Sequence, residues 1–199
     1  STGSYVALLD HDGELITALN DMRAMEEFVP TIVAAHAGVI KSASLVVADC
    51  NLPQETLNAV AALVGERLVI EPVSVPKSKK LMEVLKRGPV FLASPNFDQI
   101  EQVAGTRDIE GAFAFMHAKG LRNVVIHAGP EGAFVSDGTE IDHVAAVPPA
   151  RIVDVTGAGD AAVAGLVFGL LKGEPLAAAA ARGQRLAGQV IAGAASTLE

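Results

Sequence analysis

Two carboxylates bracket a run of small residues at Asp154-Val-Thr-Gly-Ala-Gly-Asp160, and the apolar stretch Ala161–Leu171 follows directly. That stretch reads as a helix, which puts Gly157, Ala158 and Gly159 at its start. The first turn of a helix has unpaired N–H groups and a partial positive charge, and so attracts anions. Small residues let a phosphate come close to those groups. Asp160, one step inside the helix, is then a fixed carboxylate beside the anion. Such a group holds the anion badly but can take a proton from a hydroxyl about to attack it. The pattern points to phosphoryl transfer. Spacing alone leaves a structural alternative open, because glycine-rich strand-to-helix turns are common and an aspartate in a first turn can simply complement the dipole.

A second glycine pair, Gly129 and Gly132, follows the strand-like Asn123–His127. A lone G-x-x-G is usually a turn. Both glycine loops fall at carboxyl ends of strands, where open α/β sheets bind ligands.

The elements that must position these loops alternate along the chain. Helices are expected at Pro30–Lys41, Pro53–Val64, Pro76–Lys86, Asn96–Ala104, Ile109–Lys119, Ala158–Lys172 and from Pro175 to Ala192. Strands are expected at Ser44–Asp49, Arg67–Glu71, Pro89–Ala93 and Asn123–His127, with an antiparallel pair at Ala133–Ser136 and Glu140–Val144. This alternation implies an α/β fold with a parallel sheet covered on both faces. Ahead of it, Ser4–Leu9 and Glu14–Leu19 read as a hairpin turning at Asp10–Gly13. The division is 1–22 for the hairpin and 23–199 for the α/β core.

The chain has 199 residues, half of them hydrophobic, and a net charge of -8, which disfavours nucleic acid as a partner. Cys50 is the only cysteine and reads as a buried, inert thiol, compatible with a reducing, cytoplasmic setting. The apolar run Ala161–Leu171 is too short to span a bilayer, so no membrane role is expected. The histidines show no metal-ligand spacing, and Lys77–Lys80 reads as a solvated helix face.

The D-x-T-G-A-G-D signature followed by A-x-x-A-G-L resembles the C-terminal signature of the ribokinase-like, or PfkB, carbohydrate kinase family. Ser4–Asp10 with Gly13-Glu14, Asn20-Asp21-Met22, Val47–Asn51, Pro72-Val73-Ser74 with Lys77, and Pro95-Asn96 are similar to the family's pseudouridine-phosphorylating branch. The resemblance implies a Rossmann-like, ribokinase-type core with a β-hairpin lid, ATP as donor, Mg2+, and in many members K+. It implies that Asp160 is the base and that Gly157, Ala158 and Gly159 form the anion hole. It implies ATP contacts at Gly129, Gly132, the region of Val147, and Asn96. It implies metal-side roles for Asp154, Thr156 and the position held by Gln99, where the family has glutamate. Gln99 supplies no charge to a hard cation, for which Asp98 or Glu101 could substitute; the alternative is that Asn96 merely caps its helix and Gln99 is exposed.

The resemblance also implies that the lid-first chain lacks the N-terminal strands and most acceptor-binding residues, and stops before the last elements of the nucleotide pocket. The expected activity is phosphorylation of a hydroxyl on a small nucleoside or sugar, pseudouridine foremost, in a homo-oligomer or with a completing chain. The rival expectation is a non-catalytic nucleotide-binding fragment that needs a second chain.

Overall fold

The computed structural model describes residues 2–9 and 15–193 of the 199. The proposed turn at Asp10–Gly13 lies outside the described residues. The strands on either side of it, β1 (Ser4–Leu9) and β2 (Leu15–Asp21), pair antiparallel, with Ser4 opposite Asp21. The second strand runs two residues further than the sequence implied.

Beyond a short 3-10 turn, α1 (Pro30–Ala35) and α2 (Ala37–Ser42) replace the single helix expected over Pro30–Lys41. The break falls at His36. Its ring Nδ1 and its own N–H both meet the carbonyl of Ile32, and its ψ of 13° departs from the helical range. Gly38, just beyond, gives the second segment little intrinsic helicity.

The core contains β3 (Val46–Asp49), α3 (Gln54–Val64), β4 (Leu68–Glu71), α4 (Val75–Leu85), β5 (Val90–Ala93) and α5 (Phe97–Ala104). Then come α6 (Ile109–Ala118), β6 (Leu121–His127), β7 (Ala133–Ser136), β8 (Ile141–Val144), α7 (Ala158–Leu171) and α8 (Leu176–Ala192). The strands form one sheet in the order β3-β4-β5-β6-β7-β8. The first four are parallel, and β7 and β8 add antiparallel.

Alternation along each strand divides the core between the two faces. Leu68, Ile70, Val124 and Ile126 pack under α1 and α3 to α6, whereas Val69, Leu92 and Val125 pack under α7 and α8. Cover is incomplete at β3, which is the sheet's edge. Val47 remains 50% exposed there, and the hairpin residues Tyr5, Val6, Leu8, Ile16 and Leu19 are exposed as well.

The helix pair α7–α8 is drawn tight by small residues. A Cβ on Gly165 would sit 2.8 Å from the Cα of Gly183, and one on Gly183 only 2.4 Å from the carbonyl oxygen of Ala162. At Gly165 and Gly183 the two helices approach backbone to backbone, with the Leu186 and Ala179 side chains packed beside the crossing. This fixes where the N-terminus of α7 points.

Candidate active site

All the singled-out loops lie along the carboxyl edge of the parallel strands. The chain leaves β6 at His127, turns through Gly129–Gly132 and re-enters at β7. It leaves β8 at Val144 and reaches α7 through residues 145–157. Gly132 has φ +100°, and a Cβ there would meet the carbonyl oxygen of Val144 at 2.1 Å, so only glycine lets the two loops touch. Their contact builds an apolar cleft of about 480 Å³, bounded by Gly129, Val147, Ile152, Gly159, Gln184 and Ile191. That size suits a nucleotide.

At the head of the cleft, Gly157 takes the left-handed conformation, φ 81°, and turns the chain into α7. No side chain caps that helix, and a Cβ at Gly159 would meet open space, so the first turn is free to receive an anion. Asp160 stands exposed in the same turn. One turn upstream, Asp154 accepts the N–H of Thr156 at 2.8 Å through Oδ1. That hydrogen bonding to Thr156 holds the Asp154 carboxyl below its ordinary range. The Val153 N–H donates to the carbonyl of Ile191 at 2.9 Å, which staples this segment to α8.

Asn96 and Gln99 sit at the start of α5 and bond to one another. Asn96 Oδ1 accepts the Gln99 N–H, and Gln99 Oε1 accepts the Asn96 N–H, each at 2.9 Å. This is a complete capping box, and Gln99 is buried in it rather than exposed as the capping alternative expected, because its side-chain oxygen turns back onto the Asn96 N–H. The side-chain oxygens of both residues are thus engaged at their own helix terminus. Among the described residues no cluster of three or more His, Cys, Asp or Glu could hold a metal.

Three further features, none given a site role from the sequence, lie along the same edge of the sheet. His127 Nε2 lies 2.7 Å from Ser94 Oγ, and burial pushes its pKa down to about 4, so it lines the cleft as a neutral ring. Glu71 ends β4, and burial raises its pKa to about 7, opposed by the Val73 N–H and reinforced by the carboxylates of Asp160 and Asp49. A lone carboxylate closing the apolar strand Leu-Val-Ile-Glu was the available signal.

The third is the lysine pair, where the solvated-face reading of Lys77–Lys80 is corrected. Lys80 Nζ donates to the carbonyls of Cys50 and Leu52 at 2.9 and 2.7 Å, and Lys77 Nζ donates to Asn51 Oδ1. Lysines three apart share a helix face, and this face meets the end of β3. Cys50 itself is fully buried, with its thiol pushed up to about 12 by desolvation, as expected of an inert thiol.

The chain is also similar to known proteins. Residues 1–198 match the family described as pfkB family carbohydrate kinase. The chain is 32% identical to the pseudouridine kinase of Escherichia coli over 183 residues, covering 89% of this chain and 58% of that one. It is 30% identical to the cytidine kinase of Thermococcus kodakarensis over 131 residues, covering 62% and 46% respectively. Among solved structures, a carbohydrate kinase from Agrobacterium tumefaciens superposes with a TM-score of 0.75 at 29% identity, over 98% of this chain and 64% of that one. The ribokinase of Arabidopsis thaliana, solved with ribose and ATP, superposes at 0.82 with 20% identity, covering 96% and 63%, and speaks to the fold alone. The chain thus spans about half to three-fifths of the curated relatives cited. The fold is the ribokinase-type α/β arrangement.

Proposed function

Because this chain belongs to the pfkB family of carbohydrate kinases, we propose that it carries the donor side and the base of an ATP-dependent kinase. The acceptor is a hydroxyl of a nucleoside or sugar, with pseudouridine the favoured one. The observation that carries this reading is Asp160, exposed in the uncapped first turn of α7 directly beyond left-handed Gly157.

The apolar cleft fits an adenine ring, whose faces need non-polar walls. ATP with Mg2+ supplies the transferable phosphoryl group and the charge that neutralises it. Gly129, Gly132 and Val147 shape the wall against the base of the nucleotide. The N–H groups at Gly157, Ala158 and Gly159 stabilise negative charge that grows as the bond forms. Asp160 takes the proton from the acceptor hydroxyl, which raises its nucleophilicity at the moment of attack. Asp154 and the Thr156 backbone support that turn from beneath and offer oxygens suited to K+. Asn96 and Gln99 act on the phosphate and magnesium side through the helix terminus they cap, and Gln99 adds no charge there.

The acceptor preference rests on the pseudouridine kinase and cytidine kinase likenesses. Phosphoryl transfer from ATP to pseudouridine, uridine, cytidine, ribose and fructose 6-phosphate is the direct test. Nucleosides should be turned over faster than the free sugars. A protein that phosphorylates only fructose 6-phosphate would contradict the acceptor assignment.

A second reading is a nucleotide-binding subunit that transfers nothing until another polypeptide covers it. The exposed β3 edge, the half-exposed Val47 and the exposed hairpin residues favour it. A second subunit or a completing segment laid along β3 would cover that edge and Val47.

A further inference from the structure

The turn Gly129–Glu131 is bonded mostly to itself. The N–H groups of Glu131 and Gly132 donate to the carbonyls of Ala128 and Gly129, at 3.1 and 3.0 Å, and the Ala128 N–H donates to the carbonyl of Gly132 at 2.8 Å. These bonds curl the turn but do not fix where it sits. Among the described residues, the side chain that reaches it from another element is His143, whose Nε2 donates to the Glu131 carbonyl at 2.8 Å. A carbonyl only accepts, so Nε2 carries the proton.

His143 belongs to β8 and stands opposite Phe134 of β7 in the antiparallel register. The two ring centroids are 4.8 Å apart with the planes tilted by 33°, an attractive aromatic arrangement. Phe134 also meets Phe97 edge to face, at 6.1 Å and 69°. Phe97 opens α5 beside the Asn96 cap, and Asn96 is bridged to His127, where β6 gives way to the turn. The ring and the Nε2 of His143 are thus both held, although the residue is exposed.

The faces of the sheet show what the bond does. Phe134 packs on the side covered by α1 and α3 to α6, whereas Ala133, Val135 and Val144 pack under α7 and α8. His143, next to Val144 in an extended strand, shares the side of Phe134. The apolar cleft lies on the opposite side, walled by Ala162, Gln184 and Gly188, and His143 lines none of it. The turn is therefore pinned from its outer side while Gly129, Pro130 and Gly132 face the cleft. Water could satisfy a surface carbonyl equally well, so the bond adds little to stability and acts on position.

We propose that His143 is a positioning residue for the donor nucleotide. It touches no ligand, and it fixes the Gly129–Gly132 turn in the place that closes the apolar cleft. The identity of that ligand as ATP rests on the kinase reading; the restraint on the turn does not.

The experiment compares the full chain with two variants. His143→Phe keeps a ring on Phe134 and loses the donor; His143→Gln loses the ring but carries an amide donor with a reach similar to that of Nε2. Each is titrated calorimetrically with ATP and Mg2+, and its turnover of pseudouridine is followed against ATP concentration. His143→Phe should bind ATP about three- to tenfold more weakly, with KM for ATP rising by the same factor and kcat within about twofold of the parent. His143→Gln should bind ATP within about twofold of the parent, and the melting temperatures should agree within about 3 °C. Equal ATP affinity in His143→Phe and the parent, equal losses in both variants, a fall in kcat with KM unchanged, or a His143→Phe chain that fails to fold would each overturn the proposal. The two readings fail separately. ATP affinity indifferent to His143 in a chain that transfers phosphoryl groups removes this inference and leaves the kinase. ATP affinity that depends on the His143 donor, without transfer to any acceptor, does the reverse.

Discussion

His127 ends β6 and Glu71 ends β4, on the two sides of β5, with ionisations displaced in opposite directions. His127 is lowered to about 4 from an ordinary 6.5, so the folded chain refuses a proton that the unfolded chain accepts. Its contribution to stability is complete above about pH 6.5 and is lost as pH falls toward 4. Glu71 is raised to about 7 from 4.5, so the folded chain holds a proton that the unfolded chain has released. Its contribution is complete below about pH 4.5 and is lost as pH rises through 7. The two oppose each other between, and the parent's stability should change little from these groups. Removing either one exposes the other. Urea unfolding of His127→Gln should show stability falling by about 2 to 3 kcal/mol as pH rises from 4.5 to 7.5. Glu71→Gln should show it rising by a similar amount from pH 4 to 6.5. Slopes of the same sign in both variants would mean that one of these groups is not held as described.

At the scale of elements, the crossing of α7 and α8 sets the site, because α7 presents the anion-binding turn and α8 supplies the back wall of the apolar cleft. Gly183→Ala pushes a methyl into the carbonyl of Ala162 at 2.4 Å, with no flexible side chain to yield. Overpacking of that kind should cost about 1 to 3 kcal/mol and lower the melting temperature. ATP affinity should fall with it, since Gln184 and Gly188 move with the helix. Gly38→Ala in α2 meets nothing within 4 Å and should be neutral or slightly stabilising, which makes it the control. Comparable melting temperatures for the two variants would contradict the close crossing.

These elements were largely legible beforehand because each carries a local signal. The Gly157–Asp160 turn, the Asn96–Gln99 cap and the regular alternation of strands and helices depend on neighbours in sequence. The break at His36 was hidden, since it depends on one ring nitrogen finding a carbonyl four residues back. The lysine contacts were hidden too: Lys80 reaches residues 28 and 30 positions away, which no local pattern encodes. Gln99 showed only half of its role. Its spacing from Asn96 was readable, but the reciprocal hydrogen bonds that bury it were not.

At the scale of the molecule, two clefts of opposite character share one edge of a single sheet. The apolar one lies between the Gly129–Gly132 loop and α8, and the polar one lies under the lid root between Asn20 and Lys77. Asp160 belongs to the turn that must serve both if a phosphoryl group is to pass between them. The central claim is therefore that Asp160 acts in the transfer and not in holding the nucleotide. The measurement that tests it most directly is turnover of pseudouridine beside ATP affinity in the protein and its Asp160→Asn variant, which keeps the shape and removes the basicity. Turnover should fall by about 10²–10⁴-fold, the usual range for loss of a general base, with ATP affinity nearly unchanged. A variant that turns over as fast as its parent, or one that loses ATP binding along with turnover, would contradict the account.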